Sequence, residues 1–280
     1  MPGADGAGRL PALLQPLAAD PGRSALFLDF DGTLAAIVDD PRDAQPLPGV
    51  PDLLAGLAVR FALVAVISGR PTAFLARVLG DPPGVVLAGL YGLERALHGP
   101  AHDHWAAVVD AVVAEARETA PPGIYVEPKG LTVTLHWRHA PAHKDWVLAF
   151  AARQHAERDL VVHEGRHERE LRPPLDVDKG TVVRALVAEH DAPDAPLRAA
   201  AAFGDDIGDL PAFAALDDLR AGDGTPLTTV RIAAVDTESP RAVAAAADLS
   251  VAGATGAVAL LHQLADAADA AAADGATGQS

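Results

Sequence analysis

An apolar run that stops at two aspartates constrains this chain more than any other feature. Leu26-Phe27-Leu28-Asp29-Phe30-Asp31-Gly32-Thr33-Leu34 reads as a short buried strand breaking into a turn. In an open α/β sheet, ligands bind beyond the carboxyl ends of the strands. Asp29 and Asp31 therefore stand where a site would form, and neither has a basic residue close by in sequence. Such a pair needs a positive partner, and a hard divalent cation with oxygen ligands, typically Mg2+, is the natural one.

The rest of the chain supplies the sheet. Strands are expected at Ala25–Asp29, Ala62–Ile67, Val85–Ala88, Ala199–Phe203 and Val230–Val235, with helices between them such as Val50–Val59 and Thr72–Leu79. This is the βαβ rhythm of an α/β fold, a Rossmann-like parallel sheet flanked by helices. The middle breaks the rhythm. Ala101–Thr119 carries apolar residues at helical spacing, Ile124–Val126 is strand-like, and Leu131–Arg138 alternates with period two. Leu131, Val133, Leu135 and Trp137 are expected to face a core, and Thr132, Thr134, His136 and Arg138 the other side. A helix over Ala142–Arg158 and strands at Leu160–His163 and Glu168–Arg172 complete an inserted α+β unit. The expected division is a flexible N-terminus over 1–22, a core over 23–99 and 176–264, an inserted unit over 100–175, and a disordered Ala-rich tail over 265–280. Within the first segment, Pro11–Leu17 has room for one short helical turn.

Composition narrows the class. Half of the 280 residues are hydrophobic, enough for a large core. With no cysteine, disulfides, thiolate metal sites and cysteine nucleophiles are excluded. The net charge of −16 argues against nucleic acid and anionic membrane as partners. Without a signal-peptide pattern or an apolar membrane span, a soluble cytoplasmic protein is the expectation. An acidic chain also suits a phosphorylated substrate poorly, unless its cations are gathered in the site.

Four segments carry chemistry. Asp29–Thr33, Ser68-Gly69-Arg70 and Gly204-Asp205-Asp206-Ile207-Gly208-Asp209 each follow a core strand, and Lys179-Gly180 opens an amphipathic helix. Placed at one sheet edge they describe a phosphoryl-transfer site. Asp29 is the carboxylate nucleophile. Asp31 is a general acid that protonates a leaving alcohol and then a general base for water. Asp205 and Asp206 add acidic metal ligands to Asp29 and Asp31. Ser68 and nearby amides bind phosphoryl oxygens, and Lys179 stabilises their charge. Gly32, Thr33 and Asp209 support the site.

These four segments resemble the four motifs of the haloacid dehalogenase (HAD) superfamily of phosphatases, with a cap inserted between the second and third. Within it, the chain resembles the trehalose-6-phosphate phosphatases. The resemblance runs through Asp29–Leu34 with Ile37, Val38 and Pro41, then Ser68-Gly69-Arg70, Gly89–Glu94, and Gly204-Asp205-Asp206 with Asp209, over about residues 24–262. It implies a C2-type α+β cap and a Mg2+-dependent hydrolase that converts trehalose 6-phosphate to trehalose and phosphate, the final step of trehalose biosynthesis. In the cap, Glu127-x-Lys129, His136-x-Arg138 and Glu170-Leu171-Arg172-Pro173 resemble sugar-binding segments. The resemblance thus implies Gly69, Arg70, Glu127, Lys129, Arg138 and Glu170 as substrate-binding residues. Carboxylates accept from sugar hydroxyls while Lys and Arg donate to them.

The chain departs from the family pattern at Tyr91, where His is frequent, at Gly208, where Thr is common, and at Leu210, where an acid is common. Other substrates remain open: sucrose 6-phosphate, a glucosylglycerol phosphate or mannosyl-phosphoglycerate. A phospho-accepting receiver module is a competing class, but receivers are much shorter and need no acid two residues after the acceptor. The expected partner is a small-molecule sugar phosphate, with the chain a monomer or small homo-oligomer.

Overall fold

The computed structural model describes residues 10–38, 40–165, 167–190, 194–221, 227–237 and 239–277. Helix α1 (Gln15–Ala19) leads into β1 (Ser24–Leu28), every residue of which is buried. Two helix–strand units follow: α2 (Val50–Arg60) with β2 (Leu63–Ile67), and α3 (Thr72–Leu79) with β3 (Val85–Ala88). A short α4 (Leu93–Ala96) precedes the insert. The insert comprises α5 (Gly99–Thr119), β4 (Tyr125–Pro128), β5 (Val133–His136), α6 (Lys144–Arg158), β6 (Val161–Gly165) and β7 (Glu168–Arg172). The chain then returns through α7 (Lys179–His190), β8 (Ala199–Gly204), α8 (Leu210–Ala221), β9 (Thr228–Val235), α9 (Arg241–Ala246), β10 (Leu249–Ala252) and α10 (Gly253–Thr277).

Two sheets result. The core sheet has the order β10-β9-β8-β1-β2-β3 and is parallel throughout. Its side chains alternate between two apolar layers. Leu26, Leu28, Val64, Val66, Ala199, Ala201 and Phe203 enter one. Ala25, Phe27, Leu63, Ala65, Ile67, Ala200 and Ala202 enter the other. Helices cover both faces, so continuous apolar strands are what the architecture demands. Burying each large side chain there contributes roughly 1.5–3 kcal/mol. The Ala-rich β8 is a poor strand by propensity, yet it lies between β1 and β9 and is buried along its whole length.

The insert folds as a second, antiparallel sheet of order β4-β5-β7-β6. Val133, Leu135, Trp137 and Leu171 meet Val109, Val112, Val147 and Phe150 of its two helices in a separate core. The expected alternation over 131–138 holds, but the ladder is shorter. Lys129 and Leu131 belong to a turn, and Trp137 donates its N–H to His167 beyond the ladder.

Both ends are more ordered than their composition implies. Where 1–22 reads as flexible, Leu10, Leu14, Leu17 and Ala18 are buried against the core. The leucine spacing of four and then three is helical and gives this stretch an apolar face. Where 265–280 reads as disordered, α10 continues to Thr277. Alanine is the strongest helix former, Leu264 and Ala268 are buried, and Arg60 grips Asp269 at 2.5 and 2.7 Å. Residues 1–9 and 278–280 lie outside the described residues. Among the described residues, no helix is long and apolar enough to cross a membrane.

Candidate active site

The sheet order reverses at β1. The chain steps outward to β2 and β3, then returns on the other side to β8. The ends of β1 and β8 therefore flank a crevice at the topological switch point, where α/β folds place ligands. Leu28 pairs with Phe203, and the Asp29 N–H donates to the Phe203 carbonyl at 3.0 Å. Asp29 and Asp205 leave adjacent strand ends side by side. Gly32 makes that approach possible. Its φ is +77°, and a Cβ there would collide with the Asp205 carboxylate.

Lys179, the first residue of α7, reaches into this crevice and is 4% exposed. Its Nζ donates to Asp29 Oδ1 and, at 2.5 Å, to Asp209 Oδ1. Asp209 Oδ2 accepts the N–H groups of Asp205 at 2.9 Å and Asp206 at 3.1 Å, which pins the loop after β8. Asp206 itself is exposed, and its carboxylate caps the Ile207–Asp209 turn by accepting from the backbone of Asp209.

Charge in the crevice is unbalanced. Burial pushes the Asp29 carboxyl up to about 7 against the pull of Lys179, and Asp209 and Asp31 push the same way. Burial, then the charges of Asp29 and Asp209, push Asp205 up to about 9. Burial favours the neutral form of Lys179, but Asp209 and Asp29 outweigh it and hold the ammonium well above its usual range. The carboxylate oxygens of Asp29, Asp205 and Asp209 lie within 4.8 Å of one another and could hold a metal ion. Three carboxylates against one ammonium, with oxygen donors alone, suit a hard divalent cation.

The structure places Asp31 with Arg70 instead of in that group. Arg70 Nε and Nη2 grip the two Asp31 oxygens at 2.8 and 2.7 Å, and Nη1 donates to the Pro41 carbonyl at 2.7 Å. The guanidinium lies 4.8 Å from the Phe74 ring centroid. Ser68 is buried and its Oγ accepts the Arg70 N–H at 3.1 Å, which shapes the turn after β2. Gly69 in that turn lies beneath the Tyr91 hydroxyl. Thr33 is fully buried, and its hydroxyl has no hydrogen-bond partner among the described residues.

The cap presents a polar face built by register. Glu127 pairs with Thr134 and Thr134 with Glu170, so these three share one face across β4, β5 and β7. Tyr125, His136 and Glu168 form the next row. Lys129 lies 3.7 Å from Glu127 and 3.6 Å from Glu170, which also accepts from Thr132 Oγ1 at 2.8 Å. His136 is clamped between Glu127 at 2.9 Å and Glu168 at 3.0 Å and stacks on Tyr125. Burial would lower the imidazole pKa, but the two glutamates raise it overall. This face meets the core: Arg42 lies over Tyr125 and Arg172 over Tyr91. Arg138 stands apart from Lys129 and Glu170. It is exposed and lines a cavity of about 180 Å³ with Val38, Arg42, Tyr125 and His136.

Sequence reasoning thus picked out Asp29, Lys179, Asp205 and the Glu127–Lys129–Glu170 group, all of which converge. It gave no role to Tyr91, Arg172 or the His136 clamp, and it ranked Asp209 as a support. The spacing Gly204-x4-Asp209 held the available clue, since a carboxylate one turn on can reach back to the loop amides.

Residues 27–251 match the sequence profile of the trehalose-phosphatase family. A trehalose-phosphate phosphatase of Mycobacterium marinum is 39% identical over 224 residues, which cover 74% of this chain and 56% of that protein. Its counterpart in Mycobacterium ulcerans is 38% identical over the same shares of both chains. The chain spans about half the length of the curated relatives it matches. The C-terminal domain of trehalose-6-phosphate phosphatase from Candida albicans has the same fold, with a TM-score of 0.68 and 23% identity over 93% of this chain and 99% of that one.

Proposed function

The chain belongs to the trehalose-phosphatase family, and from that premise we propose that it hydrolyses trehalose 6-phosphate to trehalose and phosphate with Mg2+. The observation that carries this reading is the polar cap face held over the Asp29–Lys179 crevice.

Asp29 is the nucleophile. Lys179 stabilises its ionised form against burial, so a carboxylate oxygen can attack phosphorus as the bond to the sugar oxygen breaks. Asp31 protonates the departing sugar oxygen, then takes the proton of the water that hydrolyses the phospho-aspartate. The bidentate grip of Arg70 holds the Asp31 carboxyl in a fixed orientation. A phosphoryl group offers Arg70 the same bidentate surface, so substrate binding releases the Asp31 carboxyl for proton transfer. Mg2+ would be held by Asp29, Asp205 and Asp209 and would supply charge neutralisation at the phosphoryl oxygens. Glu127, Lys129 and Glu170 bind sugar hydroxyls, while Arg138 lines the neighbouring cavity, apart from that group.

Phosphate release from trehalose 6-phosphate, sucrose 6-phosphate and glucose 6-phosphate, each with Mg2+ and with EDTA, tests the reading. An EDTA-sensitive preference for trehalose 6-phosphate supports it. Metal-dependent release with another preference discards the substrate, and release that survives EDTA discards the metal.

A further inference from the structure

Tyr91 follows β3 in a turn where three successive residues have positive φ: Leu90 at +50°, Tyr91 at +56° and Gly92 at +97°. For residues with a Cβ this backbone is unfavourable, and it persists where the surroundings over-determine it. Around Tyr91 they do. Its N–H donates to the Ser68 carbonyl at 2.9 Å, which ties the ring to the end of β2. A Cβ on Gly69 would lie 2.6 Å from the Tyr91 hydroxyl, so any other residue there would displace it. The edge of the ring lies beside Gly208, where a Cβ would be 3.5 Å from Cε1. The Arg172 guanidinium lies 5.7 Å from the ring centroid and donates to the Val177 carbonyl, in the segment that leads to Lys179.

So the ring is held by β2, by the loop after β8 and by the last cap strand. Its hydroxyl, by contrast, makes no hydrogen bond among the described residues and is not sealed from solvent. The charged groups around it come from both halves of the site: Glu170 and Lys129 from the cap, Lys179 and Asp29 from the core. Burial first, and then Glu170, push the phenol above its ordinary pKa, so it remains an O–H donor at neutral pH. A rigid donor without an acceptor, between a phosphate site and a sugar site, is suited to a ligand oxygen.

We propose that Tyr91 is the substrate contact at the joint of the two half-sites, its hydroxyl donating to the sugar oxygen nearest the phosphoester. The inference rests on the sugar phosphatase reading above and adds the residue that couples sugar recognition to the phosphoryl end. Lys179 and Arg70 are the cations on the phosphoryl side, and the Tyr91 hydroxyl is a neutral donor between them and the cap residues Glu170 and Lys129.

The test is Tyr91→Phe, which keeps the ring, its stack on Arg172 and the backbone turn. The readout is the ratio of kcat/KM for the best sugar phosphate of the panel to that for a small aryl phosphate. Losing one hydrogen bond in a buried site lowers that ratio about tenfold, and the loss falls more on KM than on kcat because the contact exists before the chemical step. An unchanged ratio overturns the proposal, whether both activities fall together or neither falls. If the wild-type chain prefers a sugar phosphate other than trehalose 6-phosphate, the substrate assignment fails, while the ratio taken on the preferred sugar phosphate still decides the role of Tyr91.

Discussion

Core and cap each bury an ionic cluster, and the two are balanced differently. In the core, Asp29, Asp205 and Asp209 share the one ammonium of Lys179, and two of the carboxyls are pushed up to about 7 and about 9. In the cap, Lys129 and His136 lie among Glu127, Glu168 and Glu170, and Glu127 stays below its ordinary value. Burial raises the Glu127 pKa, but hydrogen bonding from His136 and the charges of Lys129 and His136 more than offset it. The core cluster is thus left short of positive charge, as the proposed reading requires of a site that recruits a cation and acts on phosphate. The cap cluster comes nearer to balance, as the proposed reading requires of a surface that holds a fixed pattern of donors and acceptors for a neutral sugar. In this account the core performs one reaction on any phosphate monoester that reaches it, and the cap decides which one does.

Breaking the core should abolish activity regardless of substrate. Asp29→Asn removes the nucleophile and nearly preserves shape, so turnover of both sugar and aryl phosphates should fall at least about a thousandfold. A matching circular dichroism spectrum and melting temperature would show that the fold is intact. Substantial residual activity would contradict the nucleophile assignment.

A smaller effect is expected at the His136 clamp, in stability before chemistry. The His136 pKa is raised from 6.5, so its contribution is full below that value and fades as pH rises through the higher folded one. The Glu127 pKa is lowered from 4.5, so its contribution is full above that value and fades as pH falls through the lower folded one. His136→Gln should therefore destabilise by about 1–3 kcal/mol between these limits. The penalty should shrink as pH rises through the raised folded pKa and the wild-type imidazole loses its proton. Denaturant melts across pH measure this, and a penalty that grows with rising pH would refute the clamp.

The same contrast explains how much of the protein could be read from its sequence. Asp29-Phe30-Asp31-Gly32-Thr33 and Gly204-Asp205 are contiguous and follow recognisable apolar strands, so the core motif and the parallel sheet were legible. The pairing of Asp31 with Arg70 spans 39 positions and depends on β1 and β2 lying side by side. Asp209 rather than Asp206 accepts the loop amides and stands with Asp29 and Asp205, because a single capped turn decides which carboxylate points inward. The cap site was visible only through its resemblance to a family, since Glu127, Thr134 and Glu170 meet by strand register. Tyr91 was noticed as an unusual residue, but its position depends on a left-handed turn that nothing in Leu90-Tyr91 announces. At the chain ends, low complexity masked a leucine face and an anchored alanine helix.

The division of labour itself is tested most directly at Glu170, which lies on the cap face, accepts a hydrogen bond from Thr132 and is ion-paired with Lys129. The measurement is kcat/KM of Glu170→Gln for trehalose 6-phosphate, divided by its kcat/KM for a small aryl phosphate, against the same quotient for the wild-type chain. Loss of a charged hydrogen-bond acceptor for sugar hydroxyls should lower the quotient about tenfold or more. A quotient equal to the wild-type value would mean that the cap does not select the sugar.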